Sequence, residues 1–344
     1  MTYPIVPDPA VPLVDLHRHL EGSMRLETIQ ELCAQFGAPL PCSDLTALSA
    51  YVQVTAPQPG LMAFIARIDR SVQVLGDLDA CRRIAYECVI DAREEGIDYL
   101  ELRFSPRYMA QPHGLNAPDV VAAVVDGAEA AAFEVSIKVN LIGILSRTYG
   151  VEACWEELRA LQAHHTHIKA LDLAGDEGRW PAQLFEAHFQ QARELGWEVT
   201  VHAGEAVGPE SVWTAIRQLG ATRIGHALRA IEDPALMDYM AEHHIAVESS
   251  LTSNVQTSAI SDYAAHPIRT YMTHGMVVTL NTDDPAISRI TLAHEYTVAA
   301  PAAGLTREDL RRIQKNGLAA AFLTPGERRE LEEAKLRSAG LSPT

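Results

Sequence analysis

Two histidines stand two residues apart at the end of an apolar run, His17 and His19 in PLVDLHRHLEGS. Alternate residues of a strand face the same side, so both imidazoles can point into one space and share an ion. His-x-His alone is short, and each ring could equally be a core histidine satisfied by a hydrogen bond. Further along, His202 lies at the end of the run WEVTVHAGE, His226 in RIGHA, and Asp283 and Asp284 in MVVTLNTDDP. Three neutral imidazoles (His17, His19, His202) and one carboxylate (Asp283) suit zinc or a similar borderline divalent ion, one per chain. Such an ion lowers the pKa of bound water to about 7, and hydrolysis then needs a base for the water and an acid to activate the electrophile.

Glu205 and His226 are the candidates for those two tasks. His226 is placed to orient or deprotonate the water; otherwise it bonds a neighbouring loop. Glu205, three residues past a candidate ligand, can stay protonated beside Asp283 and Asp284 and donate to a ring nitrogen. It could instead partner a metal histidine. Asp284 either meets substrate or caps the helix that follows. Gly175, in DLAGDE, either lets backbone approach a ligand or serves a turn. The remaining histidines, His266 among them, read as surface or packing residues.

These residues need a scaffold that brings chain-distant strand ends together. Short β-rich runs begin at Leu13, Tyr99, Ser136, Ile168, Trp197, Arg223, Ile245 and Met276, and stretches of helical period separate most of them. The helical candidates cover 25–37, 79–95, 117–133, 151–163, 182–195, 209–219, 233–243 and 288–300. Alternation of this kind predicts an α/β fold, a single (β/α)8 TIM-type barrel spanning 1–344, with chemistry at the C-terminal ends of the strands. All the candidates above fall on that rim. No glycine-rich loop follows the first strand, which argues against an open doubly wound sheet. Residues 40–78 break the alternation and read as a helical, lid-like insertion after the first βα unit. The chain beyond about 306 adds two or three C-terminal helices.

The formal charge of −17 argues against nucleic acid and anionic membranes as partners. No apolar run is long enough to span a bilayer, and MTYPIVPDPAVP has no leader pattern, so the expectation is a cytoplasmic protein with no obligatory protein partner evident. Five cysteines with no C-x-x-C pair give poor support to a disulfide framework or a thiolate zinc site. A second bridged metal would need a lysine at the end of the fourth strand, whereas Lys169 lies at its beginning. The H-x-E with P-C-x-x-C pair of the other zinc deaminase scaffold is absent.

DLHRHLEGS, ELRFSP, DLAGDE, VHAGE, RIGH, LTSN and NTDDP, in this order and over about residues 13–323, resemble the adenosine deaminase family. The resemblance implies zinc on His17, His19, His202 and Asp283, Glu205 protonating purine N1, and His226 handling the attacking water. It implies Asp284 at N7, the Gly175 amide at N3, and Glu21 on the ribose hydroxyls with His19 close to the sugar. Leu61, Phe64, Ile65 and Ile68 resemble the apolar wall of a ribose-side lid; their spacing alone reads as a helix packed on the barrel. The implied reaction converts adenosine and 2′-deoxyadenosine to inosine and deoxyinosine plus ammonia, in purine salvage. The alternatives are another 6-aminopurine compound, adenine or an aminofutalosine-type nucleoside, and a non-catalytic zinc-bound barrel. Three positions depart from the common pattern: Glu21 where many members have aspartate, Ala227 where glycine is usual, and Ser250 in place of a cysteine. A methyl group at residue 227 is expected to cost ~1–3 kcal/mol if that backbone needs positive φ.

Overall fold

Eight short parallel strands pair in chain order: β1 (Val14–His19), β2 (Tyr99–Phe104), β3 (Lys138–Ser146), β4 (Ile168–Ala174), β5 (Glu198–Ala203), β6 (Arg223–His226), β7 (Ala246–Ser249) and β8 (Val277–Leu280). The computed structural model describes residues 7–341; the first half of the stretch read for a leader, residues 1–6, lies outside it. β8 returns to β1 through one parallel bridge between Arg18 and Asp283. There Asp283 N donates to His17 O and His19 N to Asp283 O, each at 2.8 Å. The barrel is thus nearly closed, and its seam is stitched at the rim by a candidate metal ligand. β1 itself runs through His19, two residues beyond the run LVDLH.

The strands form because near-continuous apolar and β-branched residues suit a sheet covered on both faces. Helices wrap the outside, and their apolar sides join the strands in one large core. The barrel interior is different: Glu101, Arg103, Asp172 and Glu248 are all fully buried inside strands. Burial of charge at this density requires pairing, and Arg223 bonds Glu248 at 2.7 Å and also bonds Glu101. The C-terminal helices Arg307–Ala320 and Pro325–Ser338 complete the lower end. Between them Phe322 lies under the Arg223 guanidinium, 3.6 Å from ring centroid to Cζ, and its N–H donates to Glu101 at 2.7 Å.

After β1 come α1 (Leu26–Phe36), α2 (Leu45–Val52), α3 (Leu61–Ser71) and α4 (Leu78–Glu94). The insertion is α2, α3 and a turn of 3-10 helix at Val72–Val74. α2 starts where the Asp44 carboxylate accepts the N–H groups of Thr46 and Ala47, an N-cap. Two expectations need correction. The helix placed at 288–300 is a short helix Pro285–Ser288 and a separate helical run, 292–302, with a wide π turn at Glu295–Ala299. Cys33 and Cys42 form a disulfide pair, Cα atoms 6.0 Å apart, because the chain reverses at Gly37 in the left-handed region. The odd cysteine count hid this single pair.

Candidate active site

His17, His202, His226 and Asp283 each offer one donor atom, all within 4.8 Å of one another, a group that could hold a metal ion. His19 joins them at the rim: its Nε2 lies 3.2 Å from both His202 Nε2 and Asp283 Oδ1. Two of the rings are aimed by carboxylates. His17 Nδ1 is 2.7 Å from Glu248 Oε2, and His202 Nδ1 is 3.0 Å from Asp172 Oδ2. Each Nδ1 therefore carries the proton, and each Nε2 turns a lone pair to the centre. His17 Nε2 is buried with no hydrogen-bond partner, an orphan that a cation would satisfy. Arg103 ties the two carboxylates together, donating to Asp172 and to Glu248 at 2.9 Å each. Burial opposes the charge on both acids, yet His202 and Arg103 hold Asp172 well below the usual carboxylate range, and Arg103 and Arg223 do the same for Glu248.

Glu205 stands on the loop after β5, its Oε2 3.8 Å from His226 Nε2, which is 3.9 Å from Asp283 Oδ2. Burial first, then the charges of Asp283 and Glu177, push its pKa up to about 8, so it carries a proton at neutral pH. The loop is held by Glu177, whose carboxylate accepts from the N–H groups of Gly204 at 2.7 Å and Ala206 at 2.8 Å and from Ser211 Oγ at 2.5 Å.

A cavity of about 300 Å³ opens on this cluster. Glu21, Gly175 and Asp284 line it, as do Leu61, Phe64, Ile65 and Ile68 of α3. Glu21 Oε1 accepts from Ser105 N at 2.7 Å while its Oε2 is buried and unpartnered; burial raises the group to about 7. Asp284 makes no side-chain cap to the helix that follows it, and its Oδ1 is likewise unpartnered. Burial and the charge of Asp283 push Asp284 toward its neutral form. Its approach depends on Gly22: a Cβ there would fall 1.7 Å from Asp284 Oδ1. Gly175 has φ of 110°, and a Cβ there would meet Thr148 Oγ1 at 2.4 Å.

Reading for metal and acid–base residues misses Arg103, Asp172, Glu177, Glu248, Asn254 and Gly22. A signal existed for three of them, since a charge in the middle of an apolar strand (LDL, AVES, ELRF) must be paired when buried. His266, read as a packing residue, is buried with its Nε2 3.1 Å from Asn254 Oδ1.

The profile of the adenosine deaminase family matches residues 12–336. The chain is 55% identical to an adenosine deaminase of Klebsiella pneumoniae over 94% of its own length and 97% of the relative's. It is 53% identical to that of Yersinia enterocolitica over 96% and 99%. Among solved structures, an adenine deaminase from Arthrobacter aurescens superposes with a TM-score of 0.88 at 22% identity, covering 96% of this chain and 99% of that one. A Burkholderia ambifaria amidohydrolase described with bound zinc gives 0.86 at 25% identity, covering 96% and 91%. The chain belongs to the adenosine deaminase family.

Proposed function

We propose that this chain deaminates adenosine and 2′-deoxyadenosine hydrolytically, with one zinc ion held by His17, His19, His202 and Asp283. The fit of the donor set supports the metal: the rings of His17 and His202 and the Asp283 carboxylate gather with His19 beside them, and the buried, unpartnered Nε2 of His17 is an atom that a borderline divalent cation takes up. Bound there, the ion would supply Lewis-acid activation of the attacking water. His226 lies as close to the centre as the ligands do, and in this reading it orients the water.

The observation that carries the reading is the buried Glu205 carboxyl, 3.8 Å from His226 beside a group that could hold a metal, where burial and neighbouring charge favour its protonated form. Glu205 gives its proton to purine N1, which makes C6 electrophilic; water adds at C6 as its proton passes to the Glu205 carboxylate, and the new C6 hydroxyl gives its proton to the amino group, which leaves as ammonia. Asp284, in its neutral form, donates to N7, and the Gly175 N–H faces N3. Glu21 Oε2 is the free acceptor for a ribose hydroxyl. Leu61, Phe64, Ile65 and Ile68 exclude water over the sugar side.

The rest of the cavity favours a nucleoside over a nucleotide. Among the described residues no lysine or arginine lines it, while Glu21 and Asp69 do. A 5′-phosphate would enter that space unpaired, beside carboxyl groups. The test is the ultraviolet change on adding adenosine to the metal-loaded protein, with adenine, deoxyadenosine and AMP alongside. Conversion of both nucleosides and neither of the others, lost in Glu205→Gln with metal retained, is the expected result. Turnover of adenine in preference to adenosine would transfer the reading to the base.

A further inference from the structure

Behind His226 runs a line of hydrogen bonds that no step of the reaction touches. Ile268 N donates to His266 Nδ1 at 3.0 Å, His266 Nε2 lies 3.1 Å from Asn254 Oδ1, and Asn254 Nδ2 lies 3.0 Å from His226 Nδ1. All four residues are buried. The direction of the whole line is fixed at its far end, because a backbone N–H can only donate. His266 Nδ1 must therefore accept, which puts its one proton on Nε2; burial keeps the ring neutral, with its pKa pushed down to about 3. Nε2–H must meet an acceptor, so Asn254 presents its oxygen to His266 and its NH2 to His226. His226 Nδ1 then accepts, and the proton of that ring sits on Nε2, facing the site.

We propose that Asn254 and His266 are positioning residues that lock His226 in the Nε2–H tautomer, so that it meets the attacking water as a donor and stays off the metal. The proposal rests on the role given to His226 above. The contrast with its neighbours carries the argument. His17 and His202 have carboxylates at Nδ1 and so present Nε2 lone pairs to the centre; His226 has an amide donor there and presents a proton. Its donor atom is within ligand range of the others, so distance does not keep it off an ion. The proton on Nε2 does.

The rest of the fold holds this line in place. Asn254 sits on the helix Leu251–Gln256, whose first N–H groups, those of Leu251 and Thr252, are taken up by Glu295 at 3.0 and 3.1 Å. His266 follows the 3-10 turn Tyr263–Ala265 and precedes Pro267. Glu295 thus holds the start of the helix that carries Asn254, and His266 holds the Asn254 amide that meets His226 Nδ1.

The experiment is proton–nitrogen correlation NMR of the imidazoles in zinc-loaded protein labelled at histidine, with kcat and KM for adenosine measured in parallel. Wild type is expected to show His226 as a single Nε2–H tautomer. Asn254→Leu is expected to lose that single tautomer and to lower kcat about 10- to 100-fold with KM little changed. His266→Leu should move both readouts the same way, and His266→Gln, which can still donate to Asn254, should restore them. A wild-type ring protonated at Nδ1, or Leu variants that leave tautomer and kcat unchanged, would overturn the proposal. An Nε2–H ring in a protein that turns over no aminopurine would uphold the relay and remove the reaction instead.

Discussion

The backbone N–H of Glu205 donates to the carboxylate of Glu177 at 3.2 Å, so one acid positions the other. Glu177 also takes the N–H groups of Gly204, Ala206 and Val207 and the Ser211 hydroxyl, an arrangement only an acceptor-only group can satisfy. Its negative charge is also one of the causes that keep a proton on Glu205. Glu177→Gln therefore removes two things at once. Losing an acceptor for buried amides should cost ~1–3 kcal/mol of stability, read in urea unfolding. Losing the charge should lower the pKa of Glu205, so the alkaline limb of kcat/KM moves to lower pH. A variant that loses stability while its pH profile stays in place would show that Glu177 is scaffolding only.

With Glu205 as the proposed acid, activity needs its protonated form, which is populated below its pKa and depleted above it. With that pKa raised to about 8, kcat/KM should be level through neutrality and fall as pH rises through the pKa. A bound cation offsets the charge of Asp283, the second-largest cause of the shift, so in the loaded enzyme the limb lies at or below about 8. The pH profile of Glu205→Gln, in whatever activity remains, should lose this limb. A limb that persists there belongs to another group.

The barrel and its rim were legible because both rest on local signals. A period of two puts His17 and His19 on one side of a strand, and eight strand–helix alternations leave few ways to arrange a parallel sheet. What escaped depends on partners far away in the chain. Glu177 matters because of which amides the loop after β5 turns toward it, and no spacing within DLAGDE states that. His266 looks like any histidine near a proline until Asn254 is beside it. Gly22 matters only because Asp284, from the other end of the chain, lies where its side chain would be. The helix expected at 288–300 failed for a different reason: the π turn at Glu295–Ala299 shifts the period, and that shift aims Glu295 at the helix carrying Asn254.

Arg103 predicts how the metal is retained. It bonds both carboxylates that aim the proposed ligand histidines, so Glu248→Gln or Asp172→Asn should weaken metal binding by about 10- to 100-fold in chelator competition. Arg103→Met leaves both acids buried without their shared cation and should destabilise the fold by ~3–5 kcal/mol. The two effects separate on adding metal. Saturating zinc should restore much of the activity of Glu248→Gln, whereas Arg103→Met should still unfold at a lower temperature than wild type when both are saturated with zinc.

Ala227 sits at φ 49° and ψ 29°, in the left-handed region, directly after His226 at φ 63°. Its carbonyl accepts from Tyr271 Oη at 2.7 Å, so the chain cannot relax away from that conformation without breaking a buried hydrogen bond. An L-residue there costs roughly 1–2 kcal/mol relative to glycine in the folded state. Glycine returns about 0.4–1 kcal/mol of that through the larger entropy of its unfolded chain. Ala227→Gly should accordingly stabilise the protein by about 0.5–1 kcal/mol, seen as a higher urea midpoint with unchanged slope. Activity on adenosine should stay as it is, because the orientation of His226 is set by Asn254 and not by the residue that follows it. A lower midpoint would mean that the methyl group, buried in the apolar core, contributes more by packing than the left-handed backbone takes away.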